Sequence, residues 1–481
     1  MIMARKVHIT ETTLRDGQQS LWATRMTTGM MLPIMPTLDR AGHDAIECMG
    51  TAIMDSSVRY LKENPWERLR LLKAAAPNTP LQMISICLGF SVGKAIMPDD
   101  VLSLFLQRCC AGGIDRFFLM DGLNDIRNFE VPIRAVHAGG GKVLGSVVYS
   151  ISPVHTDAHF VEKTRQLYDL GADILVLKDP NGVLTPERVR TLLPAMKKAA
   201  RGRPFYCHSH CITGLGPATN LAAIEAGADG IWTATRPLAN GASLPATDAM
   251  IRHLAAAGFD TGVDAKATQE IATHFYAVAQ RHDKPLGLPA EYDPSVYVHQ
   301  MPGGMVSNFR AQLEQLGLGH RLQEVFEEIP VVREDLGWAL MVTPFSQLIG
   351  TQAMLNVLYG RYKVTLKEVE QLALGYYGET PAPVSANLRD TVTQRTGLKP
   401  ITVRPGLTIE GELARFRREH GPFASDEELL LEYIFMPEHL QALRAAGPMV
   451  LDERLSAGSM VDLVREVARH KDVKQFHFVM P

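Results

Sequence analysis

The chain has 481 residues, 46% of them hydrophobic, and a formal net charge of −3. That is more apolar material than one small core needs, so more than one compact unit is expected. The balanced charge leaves no basic stripe for nucleic acid, no apolar run reaches transmembrane length, and MIMARKVHIT has no hydrophobic signal core, so a cytoplasmic protein is expected.

From residue 7 to about 235, short apolar runs alternate with helical patterns. Eight runs read as strands: VHITETTL (7–14), AIECMG (45–50), LQMISICL (81–88), RFFLMD (116–121), VLGSVVYSI (143–151), ILVLKD (174–179), FYCHSHC (205–211) and GIWTAT (230–235). Between them lie helical patterns such as PWERLRLLKAA (65–75), DDVLSLFLQRCCAGG (99–113) and HFVEKTRQLYDLGA (159–172). Strands rich in Val, Ile and Leu that alternate with helices argue for a parallel sheet. Eight such units favour an α/β (β/α)8 TIM barrel over an open doubly wound sheet, although spacing alone admits both. From residue 263 the pattern turns helical, with KATQEIATHFYAVAQRHD, FRAQLEQLGLGHRLQEVFEEI, REDLGWALM, QLIGTQAMLNVLYG and LKEVEQLALGYYG, and GETPAPVSANL (378–388) reads as a loop. Beyond residue 409 come EELLLEYIFM, EHLQALRAA, MVDLVREVARH and the short run KQFHFVMP. We assign residues 1–300 to the barrel and 301–481 to a helical C-terminal domain completing its mouth. The six cysteines sit in or beside apolar runs, as expected of reduced thiols.

The stretch RPFYCHSHCITGLG (203–216) carries His208 and His210 at i, i+2, which on a strand places both imidazoles on one face. Taken alone, the pair reads equally as two metal ligands or as two hydrogen-bonded histidines. In a (β/α)8 barrel the active site lies at the C-terminal ends of the strands. Those ends bring Arg15, Asp16, Gln18 and Gln19 from strand 1, Asp121 from strand 4 and Lys178 with Asp179 from strand 6 to the same mouth as the histidines. Asp and His suit a borderline divalent ion such as Zn, Mn or Co. A free lysine ammonium is a poor ligand, whereas a carbamylated lysine offers two oxygens. The plainer alternative is an Asp16–Lys178 ion pair at the rim.

Several longer stretches are more specific: TTLRDGQQSLWATRM, ENPWERLRLL, DGLNDIRN, LVLKDPNGVLTPE, CHSHCITGLGPA, HQMPGGMVSNF and VTPFSQLIGTQAMLNV. In these the chain resembles the biotin-dependent carboxyltransferases: the carboxyltransferase domain of pyruvate carboxylase, the α subunit of oxaloacetate decarboxylase and the metal-bearing subunit of transcarboxylase. The resemblance implies metal ligation by Asp16, His208 and His210, with Lys178 carbamylated and bridging to the same ion. It implies that Arg15 and Gln19 position a 2-oxo acid or its enolate. Thr343 would pass a proton between substrate and the biotin ureido nitrogen, with Ser346 beside the biotin pocket. It further implies a metal-dependent carboxyltransferase or decarboxylase subunit, here expected as a homodimer. A biotin-independent metal lyase, a decarboxylase or an aldolase, is the alternative, and a non-catalytic partner-binding subunit a more distant one.

The substrate end departs from the family. Ile86 stands where an Arg usually clamps the substrate carboxylate, and isoleucine replaces none of that fork. Met49-Gly50-Thr51 stands for Trp-Gly-Gly, Leu244 for a polar residue after strand 8, and Ile212 for a Thr. Two readings follow: a 2-oxo acid with a larger or less polar tail than pyruvate or oxaloacetate, with Lys94 or Arg236 as a replacement carboxylate anchor, or a barrel that has kept its metal and lost the standard reaction. The biotinyl Ala-Met-Lys-Met turn is not found. Ala195-Met196-Lys197 resembles it but falls in the amphipathic PERVRTLLPAMKKAARG, so biotin is expected on a separate carrier protein.

Overall fold

Eight short, buried segments pair side by side, all parallel, and close on themselves. They are β1 (His8–Glu11), β2 (Ala45–Gly50), β3 (Leu81–Ile86), β4 (Arg116–Met120), β5 (Lys142–Val148), β6 (Ile174–Asp179), β7 (Phe205–Ser209) and β8 (Gly230–Thr233). Pairing of Ile9 with Ile231 joins β1 to β8, so the sheet is a closed barrel and not an open one. The computed structural model describes residues 4–90, 96–302, 313–315, 317–408 and 411–451. Lys94, most of HQMPGGMVSNF, the start of FRAQLEQLGLGH, MVDLVREVARH and KQFHFVMP lie outside the described residues.

Both faces of the strands are covered, which is why they read as apolar runs rather than alternating ones. Phe118, Leu144, Val176, Tyr206, Trp232 and Leu244 fill the interior. The outer faces pack against helices such as Pro65–Ala75, Asp99–Ala111, Asp157–Asp169 and Pro186–Ala199. Their starts follow from local chemistry. Asn64 and Thr185 each cap a helix N-terminus through the side-chain oxygen, and each is followed by a proline whose missing N–H costs nothing there. Lys197 lies on the last of these helices, its Nζ 2.8 Å from Asp229 Oδ1, so Ala195-Met196-Lys197 is ordinary helix.

Two local irregularities shape the mouth. β1 ends at Glu11, earlier than the apolar run suggests, and Thr13–Gly17 forms a wide, π-helical turn in which Thr12 Oγ1 accepts from the Asp16 N–H at 3.2 Å. That turn carries Arg15 and Asp16 over the barrel. β2 contains a bulge: Glu47 pairs with Gln82, yet Met49 pairs with Met83. One extra residue reverses the facing of everything after it. Met49 therefore joins the outer core with Met83, and Gly50 faces inward beside Ile84 and Arg15.

The helical region has two parts. Helices Leu322–Asp335, Phe345–Tyr359, Lys367–Ala373 and Ala386–Thr396 form their own core, which reaches Leu88 and Leu123 at the mouth. REDLGWALM is not one helix. It ends at Asp335 because Gly337 and Trp338 both take positive φ, and the following segment drops Leu340 and Val342 into the barrel mouth. Gly122 permits this close approach, since a Cβ there would sit 2.5 Å from Phe345 Cε2. The later helices, Glu412–His420, Asp426–Ile434 and Pro437–Ala445, return to the barrel flank. There Phe435 meets Phe90 and the Leu413 N–H donates to Asp100 at 2.8 Å. Among the described residues after 301, the helices from Leu322 to Thr396 thus roof the mouth and the later ones pack on the flank.

Candidate active site

A cavity of about 300 Å³ opens at the C-terminal ends of the strands. On the β1, β6 and β7 side it is lined by Arg15, Asp16, Gln19, Lys178 and His210; across from them stand Ile84, Ile86, Met120 and Val342, with Thr343, Ser346 and Gln347 from the roof.

Asp16, His208 and His210, all buried, present ligand atoms within 4.8 Å of one another. Asp16 Oδ2 lies 3.5 Å from His208 Nε2 and 3.3 Å from His210 Nε2. The other Asp16 oxygen accepts from Ser20 Oγ at 3.0 Å. His210 Nδ1 lies 2.8 Å from the Ala242 carbonyl, which can only accept, so Nδ1 carries the proton and Nε2 offers its lone pair to the cluster. His208 lies one layer deeper, against Phe118 and Trp232.

The charges are set from below. Arg15 bridges two carboxylates: its Nε donates to Glu47, and its Nη2 lies 2.8 Å from Asp16 Oδ2. Glu47 Oε2 in turn accepts from Gln82 Nε2 at 2.6 Å and from Trp232 Nε1 at 2.7 Å. Burial alone would raise the Asp16 carboxyl, but Arg15 and the two imidazoles hold it well below the usual carboxylate range. Burial, helped by Lys178 and His210, keeps His208 neutral. Burial, with Arg15 adding to it, brings Lys178 down to about 8.

The donor set fits a divalent cation: an ionised carboxylate, the neutral imidazole of His208, the His210 Nε2 turned to the same point, and a buried oxygen, Asp16 Oδ2, that accepts no well-directed hydrogen bond. The Asp16–Lys178 ion pair expected as the plainer alternative does not form. Asp16 pairs with Arg15, and Lys178 Nζ lies instead 3.3 Å from His208 Nε2.

Comparison with known proteins is decisive about family. A conserved carboxylase domain matches residues 296–453, and an HMGL-like domain matches residues 126–274. A pyruvate carboxylase subunit of Methanocaldococcus jannaschii is 42% identical over 437 residues, covering 90% of this chain and 76% of the relative. The chain belongs to the biotin-dependent carboxyltransferase family of pyruvate carboxylase. The 5S subunit of methylmalonyl-CoA carboxyltransferase from Propionibacterium freudenreichii subsp. shermanii is 35% identical, covering 92% of this chain and 89% of that one. The 2-oxoglutarate carboxylase large subunit of Hydrogenobacter thermophilus is 37% identical, covering 81% and 60%. The carboxyl transferase domain of Rhizobium etli pyruvate carboxylase, solved with pyruvate and biocytin, superposes with a TM-score of 0.85 at 30% identity, covering 92% of this chain and 79% of that one.

Within this carboxyltransferase, the other residues singled out from sequence separate into two groups. Thr343 and Ser346 face the cavity, and Ser346 Oγ is buried with no hydrogen-bond partner. Ile86 and Ile212 also line it. Asp121 does not: it accepts from the N–H groups of Leu123 and Asp125 and from Asn128, so it braces the loop after β4. Asp179 likewise accepts from Val183, Leu184 and Ser209. Gln18 bonds the Leu14 carbonyl and the Met26 N–H. Met49 and Leu244 are core residues, for the reasons of bulge and burial given above. Arg236 pairs with Asp248 and is not among the cavity's lining residues, which removes it as a carboxylate anchor.

Glu47, Gln82 and Trp232 were not singled out from sequence. The available signal was a glutamate inside the apolar run AIECMG, since such a charge is rarely buried without a partner. Glu47→Ala removes the acceptor of Arg15 Nε, Gln82 Nε2 and Trp232 Nε1. It is expected to lower stability by about 3–5 kcal/mol, measured by denaturant unfolding.

Proposed function

We propose that this carboxyltransferase holds one divalent ion, zinc, manganese or cobalt, on Asp16, His208 and His210. On this reading it exchanges a carboxyl group between biotin on a separate carrier protein and the carbon next to the carbonyl of a small 2-oxo compound. The observation that carries the reading is the convergence of these three ligands at a cavity whose roof supplies Thr343 and the unpartnered Ser346 hydroxyl. When bound, the ion would act as a Lewis acid toward the substrate carbonyl and favour the enolate.

The protein's own groups do the rest. Arg15, fixed by Glu47, holds Asp16 ionised and in place. Thr343 passes one proton through its hydroxyl, between the ureido nitrogen and the substrate carbon, and leaves no charge behind. The apolar wall and Leu340 keep water from the enolate. Lys178 as an ammonium would donate into the His208 lone pair and repel the cation. Its neutral amine can add CO2, forming an N–C bond and releasing one proton, and the resulting carbamate supplies oxygen in place of positive charge. Intact-mass measurement under bicarbonate is expected to show one added CO2 on Lys178, lost in Lys178→Ala together with the metal. An unmodified lysine in fully metal-loaded protein would overturn this part.

A biotin-independent lyase on the same barrel is the second reading. It is favoured by the apolar wall at Ile86 and by the HMGL-like match, and it is separated from the first by the biocytin dependence of turnover.

A further inference from the structure

The cavity is divided across the barrel. Among the described lining residues, the charged and imidazole groups are Arg15, Asp16, Lys178 and His210, at the ends of β1, β6 and β7, with the neutral polar Gln19, Ser20 and Thr51 beside them. The wall on β3 and β4 is formed by Ile84, Ile86 and Met120, joined by Val342 and backed by Val148 of β5 and by Leu340, while Thr343, Ser346 and Gln347 complete the roof beside it. The cationic or imidazole side chains among the described lining residues are Arg15, Lys178 and His210, none of them on this wall. Arg15 is already shared between Asp16 and Glu47. Lys178 is turned to His208. A carboxylate placed against the Ile86 wall would lose its water and meet hydrocarbon, with no cation among the described residues of that wall to offset the loss. An alkyl group at the same place would gain by leaving water.

We propose that this wall is the specificity subsite of the reaction and that it takes a neutral hydrocarbon substituent. The carboxyl acceptor is then an uncharged methyl ketone, and the carboxyl donor is the matching 3-oxo acid with an alkyl group beyond the ketone. The proposal rests on the carboxyl-transfer reading above. The step balances without an oxidant. In the donor the bond between the methylene carbon and the carboxyl breaks, and the carboxyl carbon bonds to the ureido nitrogen. The proton of that nitrogen ends on the former methylene carbon, which becomes the methyl of the ketone. A 2-oxo acid such as pyruvate differs from this acceptor at one position only, where its carboxylate would face Ile86.

The test varies that one position. Metal-loaded protein is assayed with biocytin and a donor series: oxaloacetate, acetoacetate, 3-oxopentanoate and 3-oxohexanoate. We expect kcat/KM to rise along the alkyl members and to exceed that for oxaloacetate by at least about tenfold. Ile86→Arg is expected to reverse the order, and Ile86→Ala to move the optimum to a longer chain. The smaller variant keeps the test available if the arginine variant does not fold. Calorimetric titration with pyruvate and with 2-pentanone gives a readout besides turnover, and 2-pentanone should bind more tightly. Preference for oxaloacetate, or tighter binding of pyruvate, overturns the proposal while leaving carboxyl transfer intact. A preference for oxaloacetate that Lys94→Ala abolishes would also overturn it and would place the anchor there. Failure of every donor to turn over overturns the carboxyl-transfer reading, and the titration then decides the apolar subsite by itself.

Discussion

Asp16→Ala is expected to strip the protein of its divalent ion and to lower carboxyl transfer by on the order of a thousandfold. The effect follows from the number of donors. Asp16 supplies the only carboxylate among the three converging ligands, and its Oδ2 is the atom both imidazoles face. Two neutral histidines alone bind a divalent ion weakly. Removal of Asp16 leaves Arg15 paired with Glu47, so the fold should persist. Metal content by mass spectrometry, read beside circular dichroism, separates loss of the ion from loss of the fold. His208→Ala should give the same loss of metal, with an additional loss of stability because the ring packs between Phe118 and Trp232. Activity and metal both retained in Asp16→Ala would show that the cluster is structural.

The second large effect is at Thr343. Thr343→Ala is expected to lower carboxyl transfer by about 10²–10⁴-fold with metal content unchanged, whereas Thr343→Ser should keep most of the rate. The residue stands in the roof just before the helix Phe345–Tyr359 and lines the same cavity as Asp16 and His210. On the proposed reading it serves the transferred proton and not the ion. Retention of the rate in Thr343→Ala would assign the proton to another group, for which Ser346 is the neighbouring candidate.

The barrel was legible because a parallel sheet covered on both faces writes itself as apolar runs, and AIECMG and ILVLKD match β2 and β6 end to end. The convergence of His208 and His210 was legible for a related reason: His208 lies on β7 and His210 just past its end, and an i, i+2 spacing in extended chain places both on one face. What escaped was whatever depended on a departure from regularity. The bulge in β2 turned Met49 outward and hid the importance of Glu47. The paired positive-φ residues Gly337 and Trp338 ended a helix that periodicity would have continued, and so brought Leu340 and Val342 to the mouth. Asp121 and Asp179 sit at strand ends like catalytic acids. Their oxygens are nevertheless consumed by backbone N–H groups of the next loop, which no spacing rule reveals.

The central claim is that a metal-bearing barrel moves a carboxyl group to or from biotin. It is tested most directly by the rate of 3-oxo acid decarboxylation as biocytin is added to metal-loaded protein. The account predicts a rate that climbs and saturates with biocytin and that collapses in Thr343→Ala. A rate indifferent to biocytin in both proteins would contradict it and establish the metal lyase instead.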